Sequence, residues 1–216
     1  MFTKLCLAVR AWPRLVMLGV AAWIVSGDVC RAGDVVRVEE DWVLVVGKPD
    51  GALNAPQVAT GMSPIADFNS AYIVFNINHR SQPSYVPGGL QLQLWTSDVP
   101  LLSDDDPHNE VMSTTGETVT WTQQVMLQNG VLTVAIVNGN SQTWGSFGGG
   151  GALQASVSAS FANLNGYSPS TSIANSGVSF APNRVQSLTL ACVRYYTSDN
   201  QVLVDNQTRV AFPTSN

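Results

Sequence analysis

Hydrophobic and polar residues alternate with period two over most of the chain, which is the mark of strands with one dry and one wet face. The clearest case is 90–95, LQLQLW, where Leu90, Leu92 and Leu94 point one way and Gln91, Gln93 and Trp95 the other. In 71–78, AYIVFNIN, Ile73, Phe75 and Ile77 oppose Tyr72, Val74, Asn76 and Asn78. Residues 117–127 set Val119, Trp121, Val125 and Leu127 against Thr118, Thr120 and Thr122. Further strands are predicted over 35–46, 131–138, 152–161, 184–197, 201–204 and 207–212. Asn129-Gly130 stands between two of them, and this pair marks a tight hairpin because both residues tolerate positive φ. No window beyond residue 32 carries a sustained helical period. The predicted fold is all-β, a two-sheet antiparallel sandwich of jelly-roll type, because each half-wet sheet must bury its dry face on another.

The first 32 residues follow a different rule. Lys4, Arg10 and Arg14 precede the uncharged apolar run Leu15 to Val25, and Cys30-Arg31-Ala32 offers an A-x-A-like cleavage site. This is the layout of a secretory signal peptide, so residues 1–32 are expected to be removed and 33–216 to form one β-sandwich domain. The run is about half the roughly 20 residues a membrane-crossing helix needs. Cleavage therefore leaves a secreted, periplasmic or cell-surface protein without a membrane anchor. Cys192 is then the single cysteine, expected as a small buried hydrophobe.

Charge narrows the partners. Residues 1–32 hold four of the ten basic side chains and one of the fifteen acids, which leaves −8 on 33–216. Such a surface repels nucleic acid and anionic lipid. No phosphate-cradling glycine motif and no G-x-S-x-G elbow occurs, and no cofactor is expected.

Three segments resemble the concanavalin A-like jelly roll shared by legume lectins, laminin G-like modules and several glucanases. They are LQLQLW, the hairpin WTQQVMLQNGVLTVAIVNG and the late strand NRVQSLTLACVRYY, within 90–212. The resemblance implies a fold and leaves the activity open. The glucanases carry Glu-x-Asp-x-Glu along one strand, and no such triplet is present here. The metal-binding loop of the lectins has no residue-by-residue counterpart either.

The candidate chemistry is of three kinds. Sugar sites join an exposed aromatic ring to amide or carboxylate rims. Gln91, Gln93 and Trp95 share one strand face, Asn76 and Asn78 lie beside them if the strands pair, and His79 and Arg80 follow. Trp144 sits in the glycine-rich NGNSQTWGSFGGGG, near Asn138 and Asn140. These residues make a carbohydrate or cell-surface binding module the leading expectation. Trp42 and Trp121 are expected in the core. The second kind is acidic: Asp104, Asp105, Asp106 and Glu110 offer oxygen ligands for calcium, although the spacing lacks the central glycine of an EF-hand and fits a solvated acidic loop better. Zinc is weaker still, with His79 and His108 far apart. The third is glucanase-type hydrolysis, for which only Glu39 and Asp41 of the Glu39-Glu40-Asp41 run share a strand face, with Glu117 as the candidate opposite carboxylate. Charges guarding a strand edge explain the same residues without catalysis, and an enzyme is the lesser expectation. A structural envelope or matrix role with no small ligand is the remaining alternative.

Overall fold

A computed structural model of the chain describes residues 33–48, 56–69, 71–78, 89–97, 99–108, 110–178 and 184–213. The expected signal segment 1–32, together with His79 and Arg80, lies outside the described residues. The described residues form two antiparallel sheets packed face to face. The first contains β1 (Val35–Val46), β6 (Thr118–Gln128), β7 (Val131–Ser141), β8 (Gly145–Phe147), β9 (Gln154–Ser158), β11 (Val185–Thr197), β12 (Val202–Asp205) and β13 (Arg209–Phe212). The second contains β2 (Val58–Met62), β3 (Ala71–Asn78), β4 (Gly89–Thr96), β5 (Val99–Pro107) and β10 (Gly177–Val178). Strand order is β12-β11-β1-β6-β7-β8 in one and β10-β2-β3-β4-β5 in the other, with β13 also on β11 and β9 also on β7. The all-β sandwich is as expected.

Alternation decides what the layers bury. Leu90, Leu92 and Leu94 are 2%, 0% and 0% exposed and belong to one apolar cluster with Ile73, Phe75, Ile77, Val119, Trp121 and Val125. Trp42 and Trp121 are Cα partners across β1 and β6, and their rings stack at 6.4 Å. Phe75 of the facing sheet meets Trp121 at 5.4 Å and Phe147 at 6.5 Å. These aromatic pairs add to the area term that holds the layers together. One buried pair also bonds across the core: the Thr60 hydroxyl donates to Gln123 Oε1 at 2.8 Å and Gln123 Nε2 donates to the Thr60 carbonyl at 3.4 Å.

Three elements depart from the sequence expectation. The acidic run is not a loop: Asp104, Asp105 and Asp106 lie on β5, an edge strand paired with β4. Asp104 pairs opposite the inward Leu92, and its Oδ2 accepts the Gln154 backbone N–H of the other sheet at 3.1 Å, which ties the two layers together at that edge. The short helix α1 (Pro169–Ala174) leaves no mark in the hydrophobic pattern, because six residues cannot display a helical period. It starts on a proline, where a missing N–H costs nothing, and it packs against β2 and β13. Finally, the Glu39-Glu40-Asp41 run does not guard an edge, since β1 is flanked by β6 on one side and β11 on the other.

Glu40 points into the core and is 0% exposed. It accepts bonds from Trp42 Nε1 at 2.9 Å and the Tyr167 hydroxyl at 2.6 Å. Burial outweighs these donors and pushes its pKa up to about 7. Between pH 4.5 and 7 the folded chain therefore keeps a proton that the unfolded chain has lost. Stability should fall across that window as pH rises, by roughly 3 kcal/mol, since each tenfold change in proton affinity is worth about 1.4 kcal/mol. Urea unfolding at several pH values should show this slope, and Glu40→Gln should flatten it within the same window.

Candidate functional site

The outward face of the five-stranded sheet carries the first candidate. Tyr72 and Trp95 are Cα partners on β3 and β4, and their rings stack at 6.2 Å with planes 5° apart. Phe68, from the turn before β3, continues the row at 4.9 Å from Tyr72. The row exists because Gly61 occupies the outward position of β2 between the buried Thr60 and Met62. A Cβ at Gly61 would come within 3.0 Å of the Phe68 ring and 2.7 Å of the Asn175 carbonyl oxygen. All three residues are half-buried. Trp95 Nε1 donates to Gln93 Oε1 at 3.3 Å, which places the half-buried amide beside the ring.

Of the six expected ligand-binding residues, this face joins Gln93 and Trp95 and excludes others. Gln91 is only 4% exposed, and its Oε1 has no hydrogen-bond partner, so it is not part of an open stripe. Its Cα partner Asn76 likewise has a buried Nδ2 without a partner. Asn78 pairs with Gly89 in register, and its side chain lies outside the described residues. Trp144 is not an exposed loop residue. It is 8% exposed, stacks on His108 at 5.0 Å and donates from Nε1 to the Glu110 carbonyl at 3.1 Å. His108 directly follows the β5 segment paired with Gly89, so Trp144 anchors the opposite end of β4 from Trp95. Phe68 carries no periodic signal in the sequence, and the one signal for Tyr72 is its outward parity in AYIVFNIN.

The outward face of the other sheet is ionic. Glu39 accepts from Arg194 Nε at 2.9 Å, the Tyr196 hydroxyl at 2.8 Å and Gln124 Nε2 at 2.8 Å. Asp41 accepts from Arg194 Nη2 at 2.7 Å and the Thr122 hydroxyl at 2.8 Å. Partial burial raises the Glu39 pKa, but the bonds from Tyr196, Arg194 and Gln124 outweigh it and leave the carboxyl below its ordinary value. Asp41, in turn, holds the Arg194 guanidinium more firmly charged. Cys192 sits on this same face, half-buried with its Sγ 3.5 Å from Asn206 Oδ1, and so is not the fully buried hydrophobe expected. A bulge between Asp41 and Trp42 along the β1–β11 pairing puts Cys192 opposite Asp41.

Glu117 lies elsewhere. It is opposite Val46, seven residues from Glu39 along β1, or roughly 24 Å at about 3.4 Å per residue. There it accepts from the Ser141 hydroxyl at 2.6 Å and from the Thr143 N–H and hydroxyl at 2.8 and 2.7 Å. Burial raises its pKa, and those donors more than reverse the effect. It fastens the β7–β8 turn, and the separation keeps it from acting on one bond with Glu39 or Asp41. As for calcium, strand alternation turns Asp105 away from Asp104 and Asp106, and Asp106 and Glu110 flank His108 at 3.4 and 4.0 Å. Among the described residues no three His, Cys, Asp or Glu side chains converge on one point.

Comparison with protein-family models gives no match, and comparison with curated proteins gives none either. The case for function therefore stands on the geometry of these two faces.

Removing Arg194 strips two partly buried carboxylates of their shared cation. Arg194→Met should cost about 1–3 kcal/mol in chemical denaturation at neutral pH. The Glu39 carboxyl should titrate higher in the variant, as carboxyl carbon chemical shifts would record.

Proposed function

We propose that the protein is an exported, non-catalytic binding module that takes a carbohydrate on the outward face of the five-stranded sheet. The observation that carries this reading is the row Phe68–Tyr72–Trp95, three half-buried rings at 4.9 and 6.2 Å with the Gln93 amide beside the last. A pyranose has flat C–H faces edged by hydroxyls. Rings supply the apolar contact and an amide supplies directed donors and acceptors, which is the recipe of small-ligand sites in general. The rigid sheet beneath holds the rings in place, so little side-chain entropy is lost on binding. The resemblance to lectin-type sandwiches agrees with this reading, and the signal-like first 32 residues agree with display outside the cell.

A second reading draws on a different feature. Edge strand β5 leaves Val99, Leu101 and Leu102 at 58%, 43% and 44% exposure, and β12 leaves Val202, Leu203 and Val204 similarly open. Unpaired apolar edges invite strand addition, which favours a matrix or cell-surface component that meets another protein chain. The two readings separate in sedimentation, where the matrix role requires association that grows with concentration.

Titration calorimetry against plant, algal and bacterial polysaccharides and their oligosaccharides should reveal binding to at least one class. Trp95→Ala should weaken that binding at least tenfold, and Tyr72→Ala comparably, while the thermal midpoint moves by only a few degrees. Heat signals absent from every polysaccharide would remove the carbohydrate reading.

A further inference from the structure

A concavity of about 490 Å³ lies away from the row of rings. It opens on the other sheet, where the start of β1 and the ends of β6 and β11 meet two turns. Arg37 and Tyr196 form one side, and they are Cα partners across β1 and β11. The guanidinium carbon of Arg37 stands 3.5 Å from the centre of the Tyr196 ring. Four amide side chains complete the polar wall: Gln128 and Asn129 from the β6–β7 turn, Asn200 and Gln201 from the β11–β12 turn.

Charge distinguishes this cleft. Arg37 is the one charged residue among those that line it. Its Nε forms a loose ion pair with Glu39 Oε1 at 3.4 Å, and that buried nitrogen makes no hydrogen bond. Glu39 is meanwhile supplied by three closer donors, Arg194, Tyr196 and Gln124. The neighbouring Asp199 accepts from Thr197 and from Gln201 and is not part of the wall. A guanidinium stacked on a ring is held flat, with its η nitrogens free to make the paired N–H bonds that match a carboxylate. The amides that line the same cleft suit hydroxyl groups.

We propose that this cleft is a second binding site, specific for a carboxylate-bearing sugar, with Arg37 receiving the carboxylate and the amides of Gln128 and Asn200 receiving ring hydroxyls. It stands independently of the aromatic face formed by Phe68, Tyr72 and Trp95.

The test is a ¹⁵N-edited titration of the protein with trigalacturonate, with the neutral galactose trimer and acetate as parallel arms. Trigalacturonate should shift the backbone amides of Gln128, Asn200 and Gln201 while leaving the Trp95 indole N–H in place. Acetate should bind at the same amides at least tenfold more weakly, and the galactose trimer should not shift them. Raising salt from 50 to 500 mM should weaken trigalacturonate several-fold. Arg37→Gln should lower its affinity at least tenfold and Arg37→Lys by less. Gln128→Ala, an exposed position that leaves the fold intact, should lower it two- to fivefold. Equal binding of the neutral trimer overturns the role given to the carboxylate, and equal binding of acetate overturns the role given to the sugar. Unchanged affinity in both Arg37→Gln and Gln128→Ala, or shifts confined to the Trp95 indole, overturns the site itself.

Discussion

Two apolar rows must meet, and everything else in this sandwich is arranged around that contact. Along β3 and β4 the inward row is Ile73, Phe75, Ile77 and Leu90, Leu92, Leu94; along β1 and β6 it includes Trp42, Leu44, Val119 and Trp121. The Phe75–Trp121–Trp42 sequence of rings spans the interface and fixes which residues of each strand can face solvent. A shift of one residue in any pairing would drive Gln93 or Arg194 into this layer and release leucines to water. Register is thus specified strongly, and the positions of the outward side chains are inherited from it.

The two outward faces use that inheritance differently. On the smaller sheet the outward positions of β2, β3 and β4 hold glycine, tyrosine and tryptophan, and the result is an uncharged aromatic surface. On the larger sheet the corresponding positions of β1, β6 and β11 hold acids, amides and arginines, and the result is a mesh in which every carboxylate of Glu39 and Asp41 has two or more donors. Such a mesh contributes modestly to stability in water, but it holds Tyr196 in a fixed place, and Arg37 stacks on that ring. The core acid Glu40 belongs to neither face. Its strand parity demands that it point inward, and Trp42 and Tyr167 supply the partners that make its burial tolerable.

Much of this is legible in the chain itself. The bounds of β1 and β3, the Asn129-Gly130 hairpin and the dry side of LQLQLW follow from alternation and turn chemistry alone, because a half-buried strand has to display them. What escapes are features that alternation does not encode. Whether an outward residue is open depends on what lies over it, so Gln91 and Asn76 can be assigned to the correct side and still turn out to be covered. Trp144 falls in a glycine-rich stretch, but its burial depends on His108 and Glu110, more than thirty residues away. The three consecutive aspartates disguise an edge strand, since β5 draws its stability from pairing with β4 and not from its own composition. Phe68 has no periodic signature, and only the three-dimensional path of the turn brings it beside Tyr72.

Gly61 gives the aromatic face an unusual dependence on the smallest side chain in its sheet. The gap left by a missing methyl is what lets one ring settle flat against the strand and lets the helix terminus close in from behind. A heavier residue there would tilt that ring outward and shorten the platform by a third, with no ring substituted. The spacing of the aromatic row is thus set from underneath, at a position that contributes no side chain to it.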